Sequence, residues 1–152
     1  MPDRAGPDRT GPDPWARQDA LARSTTVWGA ASVLAGLALA AARRGPRATA
    51  FGLQNAGWGA VDLAIVVVAQ RLKSRRMGRV PDPYARDVVA AESRTLRRVL
   101  LVNVALDAGY VLGGAALWRG RPAAAGAAAA IVLQGAFLLL HDAHHAARSG
   151  RA

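Results

Sequence analysis

The chain has 152 residues, of which 52% are apolar and 20% charged, with a formal net charge of +10 and no cysteine. No disulfide framework, thiolate metal site or thiol nucleophile can be built from it, and its apolar content is too high for a chain disordered throughout. A charge of +10 ordinarily points to nucleic acid or another anionic surface, but here all but three of the charges lie outside four stretches and no nucleic-acid-binding face is evident.

Residues 1–14 repeat Pro-Asp steps among glycine and alternating charge, and are expected to form a disordered cytoplasmic tail. Residues 24–42 carry no charge; residues 48–70 carry only Asp62, residues 99–118 only Asp107, and residues 122–142 only Asp142. A helix needs about 20 mostly apolar residues to cross a hydrocarbon core of about 30 Å, and each stretch is about that long. A soluble Ala-rich bundle would show a polar stripe at every turn, which these stretches lack. Strands are disfavoured because alanine and glycine dominate and period-2 alternation is missing. A cleaved leader is the other reading of 24–42, since Ala38-Leu39-Ala40 resembles a cleavage site. The long polar segment ahead of it favours a span instead.

The predicted fold is therefore all-α: a four-transmembrane-helix bundle over residues 15–148, built as two hairpins. Arg43-Arg44-Gly45-Pro46-Arg47 turns the first hairpin and Arg119-Gly120-Arg121-Pro122 the second, with residues 71–98 as a basic cytoplasmic loop between them. Fifteen Lys and Arg fall in the tail, the loop and the C-terminus, and five (Arg43, Arg44, Arg47, Arg119, Arg121) in the two turns. The excess puts both termini and the loop in the cytoplasm. Within the loop, a helix is expected to start at Asp82-Pro83, with Asp as N-cap and Pro at the first helical position. Arg86 is spaced to pair with Asp82, as Arg17 is with Asp13. Trp15 and Tyr84 read either as interfacial anchors or as parts of solvated helix starts. Arg94, Arg97 and Arg98 either set topology or bind anionic lipid head groups.

The two hairpins resemble each other. Ser32-Val33-Leu34-Ala35-Gly36 matches Tyr110-Val111-Leu112-Gly113-Gly114, and Leu53-Gln54 followed by Asp62 matches Leu133-Gln134 followed by Asp142. Pro12-Asp13-Pro14-Trp15-Ala16-Arg17 matches Pro81-Asp82-Pro83-Tyr84-Ala85-Arg86. A tandem repeat of equally oriented hairpins would bring helices two and four to equivalent places about an axis along the membrane normal.

Ionisable side chains at membrane depth are expensive and face protein or water. Gln54, Trp58 and Asp62 share a face of helix two, with Asn55 beside them. Asn103, Asp107 and Tyr110 share a face of helix three. Helix four carries Gln134, His141, Asp142 and His145 on one broad face. The spans hold three acids and no Lys or Arg, so at least one acid is expected to be neutral and to donate to an amide. Gln54, Asn55, Asp62, Asn103, Asp107, Tyr110, Gln134 and Asp142 thus form the expected intramembrane network. It acts as interhelical glue, or it lines a pocket for a proton, cation or polar ligand.

Small-residue stripes at Ser32-Gly36-Ala40, Gly52-Ala56-Ala60-Ala64 and Ala105-Gly109-Gly113 are expected to let helices approach closely. His141, Asp142 and His145 are weak metal candidates, one turn apart but on a single helix. No Walker loop, GxSxG or HExxH occurs, so no catalytic residue and no cofactor is expected.

Val102-Asn103-Val104-Ala105-Leu106-Asp107-Ala108-Gly109-Tyr110, Leu133-Gln134 through His141-Asp142, and Gln54-Asn55-Ala56-Gly57-Trp58-Gly59 resemble motifs of an uncharacterised family of small bacterial four-helix membrane proteins. The likeness spans roughly residues 50–145 and implies that the polar residues belong to that family's pattern. The expected function is that of a non-enzymatic multi-pass protein of the bacterial cytoplasmic membrane with an intramembrane polar site. The alternatives are a proton- or cation-coupled transporter or channel component and a scaffold subunit. Expected partners are the bilayer, anionic lipid at the basic loop, and a second copy or a membrane complex.

Overall fold

The structure, a computed structural model, describes residues 13–149. Four long helices occupy nearly all of it: α1 (Pro14–Ala41), α2 (Pro46–Met77), α3 (Arg86–Gly120) and α4 (Ala125–Ser149), with a 3-10 turn at Pro122–Ala124 leading into α4. All four are long and apolar enough to cross a membrane. Most of the tail expected over residues 1–14 lies outside the described residues; Asp13 and Pro14 already open α1.

Each helix start has a local cause. The Asp13 side chain accepts from the Trp15 amide at 2.8 Å, and Pro14 takes the first helical position. Between α1 and α2 the chain reverses through Arg43 (φ 48°) and Gly45 (φ 102°), and Pro46 begins the next helix. Gly45 meets that left-handed backbone at no steric cost. The second Pro-Asp-Pro segment behaves differently. Asp82 Oδ1 accepts from the Tyr84 amide at 2.9 Å in a side-chain-closed turn, and α3 begins only at Arg86 behind an uncapped Ala85. The start expected at Asp82-Pro83 is thus a turn: Asp82 makes the same bond to the amide two residues on as Asp13 does, but the backbone enters a helix only at Arg86.

The basic segment 71–98 is mostly helical, with α2 and α3 leaving only residues 78–85 as connection. Arg, Glu and Ala favour helix, so the helices run on past the point where their sequence turns polar. At 32 residues α2 is about 48 Å long, more than a hydrocarbon core needs.

Packing is inverted relative to a soluble bundle. Apart from Trp15 and Leu100, the buried set is mostly small or polar (Gly29, Ser32, Gly36, Gly52, Asn55, Ala56, Asp62, Ala128, Gln134), while Val27, Leu34, Leu112 and Leu140 point outward. In water large apolar side chains go inside; a bundle that turns them outward is solvated by lipid.

α1 packs along α2 and α3 along α4, and the hairpins join mainly through α2 against α4. Glycine makes the α1–α2 seam. A Cβ at Gly36 would lie 2.5 Å from the Gly52 carbonyl oxygen, and one at Gly59 would lie 2.5 Å from that of Gly29. The expected stripes are only partly used. Ser32 and Gly36 meet α2, but Ala60 and Ala64 are exposed, and nothing lies within 4 Å of a Cβ built at Gly109 or Gly113. α3 instead meets α4 through Gly114, beside Ile131 and Val132.

The end of the bundle that holds residues 13 and 78–85 is tied by a polar knot. Trp15 is buried and its indole N–H donates to the Pro83 carbonyl at 3.0 Å. Its ring nitrogen is satisfied by protein, so Trp15 is an internal strut and not the interfacial anchor considered above. Lys73, the single lysine of the chain, donates to Asp19 Oδ1 at 2.6 Å and to the Trp15 carbonyl at 3.2 Å. Arg76 reaches Gln18 at 3.0 Å and Glu92 at 3.2 Å. With the histidine pair His141–Asp142, these are the ion pairs among the described residues; the spacing-based pairs Asp13–Arg17 and Asp82–Arg86 are not among them.

Replacing Lys73 with methionine keeps the buried stem but strips the ammonium from Asp19 and the Trp15 carbonyl. Because Asp19 is partly solvated, the expected loss is about 1–2 kcal/mol, below that of a fully buried pair. Unfolding in detergent measures it, with the exposed Arg79→Met expected within about 0.5 kcal/mol of wild type.

Candidate functional site: an intramembrane polar network

The polar residues converge inside the bundle in two hydrogen-bonded chains that together touch all four helices. The first centres on Gln134, 1% exposed. Its Oε1 accepts from the Trp28 indole on α1 at 3.0 Å, and its Nε2 donates to Asp62 Oδ2 on α2. Glutamine suits this place because it offers an acceptor and a donor at once. Phe137, one turn along α4, stacks on Trp28 with ring centroids 3.8 Å apart and fixes the indole.

The second chain lies nearer the end that holds residues 13 and 78–85. Asn103 on α3 donates to Asp142 Oδ2 at 2.9 Å. Asp142 Oδ1 meets His141 Nδ1 at 3.0 Å, and His141 Nε2 meets Ser24 Oγ on α1 at 2.7 Å. A neutral ring with its proton on Nδ1 donates to Asp142 and accepts from Ser24; a charged ring donates to both. Ser24 Oγ also lies 3.0 Å from the Ala20 and Leu21 carbonyl oxygens, which take its single proton when the charged ring donates to it.

Asp107 sits between the two chains. It lies one helical turn, about 6 Å of rise, from Asn103, and it is within electrostatic range of Asp142, Asp62 and His141. Asp107 is 6% exposed and its Oδ2 has no hydrogen-bond donor. Asn55, 7% exposed and two turns from Asp62 toward the α1–α2 turn, likewise leaves its Oδ1 without a donor. Buried acceptors are nearly always paired in folded proteins, so these two oxygens mark the places where the network is incomplete.

Of the residues expected from sequence, Asp62, Asn103, Gln134 and Asp142 are joined directly, and Asp107 and Asn55 are buried beside them. Gln54 makes no side-chain hydrogen bond among the described residues. Tyr110 is half exposed, its ring edge-on to Trp58 at 5.0 Å. The equivalence implied by the repeat is not reproduced in the bonding: Asp62 pairs with Gln134, whereas Asp142 pairs with Asn103 and His141. Among the described residues His141, Asp142 and His145 do not belong to any group of three able to hold a metal ion; Asp142 is spent on Asn103 and His141.

Trp28 and Ser24, both on α1, were not legible as members. Neither is ionisable, and their partners lie 106 and 117 residues away. A partial signal existed in α4, where positions 134, 137, 141 and 145 share one face. From that face Gln134 and Phe137 meet Trp28, and His141 meets Ser24.

A family model described as a family of unknown function (DUF6992) matches residues 24–143, and the chain belongs to that family. The match takes in every member of the network. No curated protein and no solved structure matches the chain.

Proposed function

We propose that this member of a family of unknown function is a non-catalytic multi-pass protein of the bacterial cytoplasmic membrane, with both termini inside. Its acid–amide network fixes the helix packing and offers a buried acceptor to a small donor ligand. The observation that carries the reading is the unsatisfied Asp107 Oδ2, surrounded by Asp62 and Asp142 with no Lys or Arg in the spans. A buried acceptor without a donor costs about 1–3 kcal/mol, and a monovalent cation or an ammonium group would recover that cost.

A thermal unfolding series of the full chain in sodium, potassium and ammonium salts at constant ionic strength tests this. One cation is expected to stabilise the wild type in step with the logarithm of its concentration, by about 2–3 kcal/mol at a hundred times its Kd. Asp107→Asn keeps the shape and is expected to remove that stabilisation. A wild type indifferent to the cation, or a variant that responds equally, would overturn the ligand reading and leave only the packing role.

A cation-coupled carrier is the second reading. It is favoured by the stepwise depth of the polar groups, from Asp142 through Asp107 to Asp62 and on to Asn55. Cation-driven flux into liposomes that Asp62→Asn abolishes would select it.

A further inference from the structure

The end of the bundle that holds the two hairpin turns carries charge that no described residue pairs. Arg43, Arg44, Arg47, Arg119 and Arg121 are all exposed there. Among the described residues none makes a side-chain hydrogen bond, and the ion pairs involve other groups. No acidic residue occurs between Asp19 and Asp62 or between Asp107 and Asp142. If both termini face the cytoplasm, these five arginines must also have crossed the membrane, against the usual bias.

The same end holds an open cavity of about 410 Å³, lined by Arg47, Trp118, Pro122, Ala125 and Gly126. Four elements build it: the first turn of α2, the last turn of α3, the 3-10 turn and the start of α4. Gly126 lets the α4 backbone rest on the Arg47 carbonyl, where a Cβ would clash, so Arg47 stands on a braced turn. Its lining is a tryptophan, a proline, an alanine and a glycine, with one arginine. The volume falls in the range of small-molecule sites and exceeds what a lone phosphate fills. An apolar wall beside a cation at bilayer-interface height matches an amphiphile with an anionic head. Guanidinium binds phosphate oxygens in a two-pronged fork, and tryptophan settles at head-group level.

We propose that this recess is a site for an anionic phospholipid. The phosphate sits on Arg47 with Arg119 and Arg121 at the rim, and the glycerol and first acyl carbons lie against Trp118 and Pro122. The site is distinct from the polar network and from the basic segment 71–98, and it does not depend on which way the bundle faces.

Native mass spectrometry of the full chain, titrated with phosphatidylglycerol, phosphatidylcholine or inorganic phosphate, tests it. Phosphatidylglycerol is expected to bind in preference to phosphatidylcholine. Each arginine removed should weaken it about fivefold, so that R47Q/R119Q/R121Q loses about a hundredfold. R94Q/R97Q/R98Q, at the other end, should retain the preference. Equal binding of the two lipids, or a triple variant that binds like wild type, would overturn the site. Inorganic phosphate that binds alone and displaces the lipid would overturn the lipid assignment in favour of free phosphate. Should the triple variant fail to fold, brominated phosphatidylglycerol on the folded wild type decides. It should quench more fluorescence than in W118F and more than brominated phosphatidylcholine does; equal quenching in both comparisons refutes the site.

Discussion

Replacing Gln134 with leucine is expected to cost the fold about 2–4 kcal/mol. The substitution deletes the bond from Trp28 and the bond to Asp62 together. A hydrogen bond between membrane helices is worth only about 0.6–1.7 kcal/mol, because helices separated in the bilayer find other polar partners. The remainder comes from what is left behind: an indole N–H and a carboxyl group, both in the interior without a partner. Leucine fills similar space, so little of the loss is cavity. Reversible unfolding in mixed micelles or by steric trapping measures it. The lipid-facing Leu140→Ala, at a position 72% exposed, is the control and should shift stability by less than about 0.5 kcal/mol. A Gln134→Leu protein as stable as wild type would mean that the two bonds do not hold the hairpins together.

The second large effect separates two glycine-to-alanine changes that look alike in sequence. Gly36→Ala puts a methyl 2.5 Å from the Gly52 carbonyl oxygen and 2.7 Å from the Ala56 nitrogen. Both neighbours are backbone, so α1 and α2 must move apart along their whole contact. Overpacking of this kind costs about 1–3 kcal/mol, and the lost seam adds to it. Gly109→Ala meets nothing within 4 Å, and alanine is the better helix former by about 1 kcal/mol. The expected result is a clear loss for Gly36→Ala and a small gain for Gly109→Ala, read in the same unfolding assay. Equal effects would contradict the assignment of which helix faces are packed.

These contrasts mark how far the sequence could be read. The four spans were legible because the absence of charge over about 20 residues has one common cause. The true ends of α2 and α3 were not, since arginine-rich ends continue a helix as readily as they leave it. The turn at Asp82 and the cap at Asp13 come from the same three residues. What separates them is tertiary: Trp15 donates to Pro83, which draws the second segment into a turn under the first. The stripe Ser32-Gly36-Ala40 pointed to a real seam, while Ala105-Gly109-Gly113 faces outward. In helices this rich in alanine and glycine, spacing alone does not say which face meets a neighbour. The site was half legible. Its acids and amides stood out because they are costly in lipid, but Trp28 and Ser24 enter only through contacts across the chain. Lys73 was counted as a surface charge, although burial against Trp15 and Asp19 makes it part of the knot.

The bond from Gln134 to Asp62 joins the first hairpin to the second inside the bundle, where α2 packs on α4. A double-mutant cycle on Asp62→Ala and Gln134→Ala, measured by unfolding of the full chain in lipid, tests it most directly. The expected coupling energy is about 1–2 kcal/mol, as for residues in one buried network. Losses that add to within about 0.3 kcal/mol would show that the two side chains act independently, and would contradict a network that binds the hairpins together.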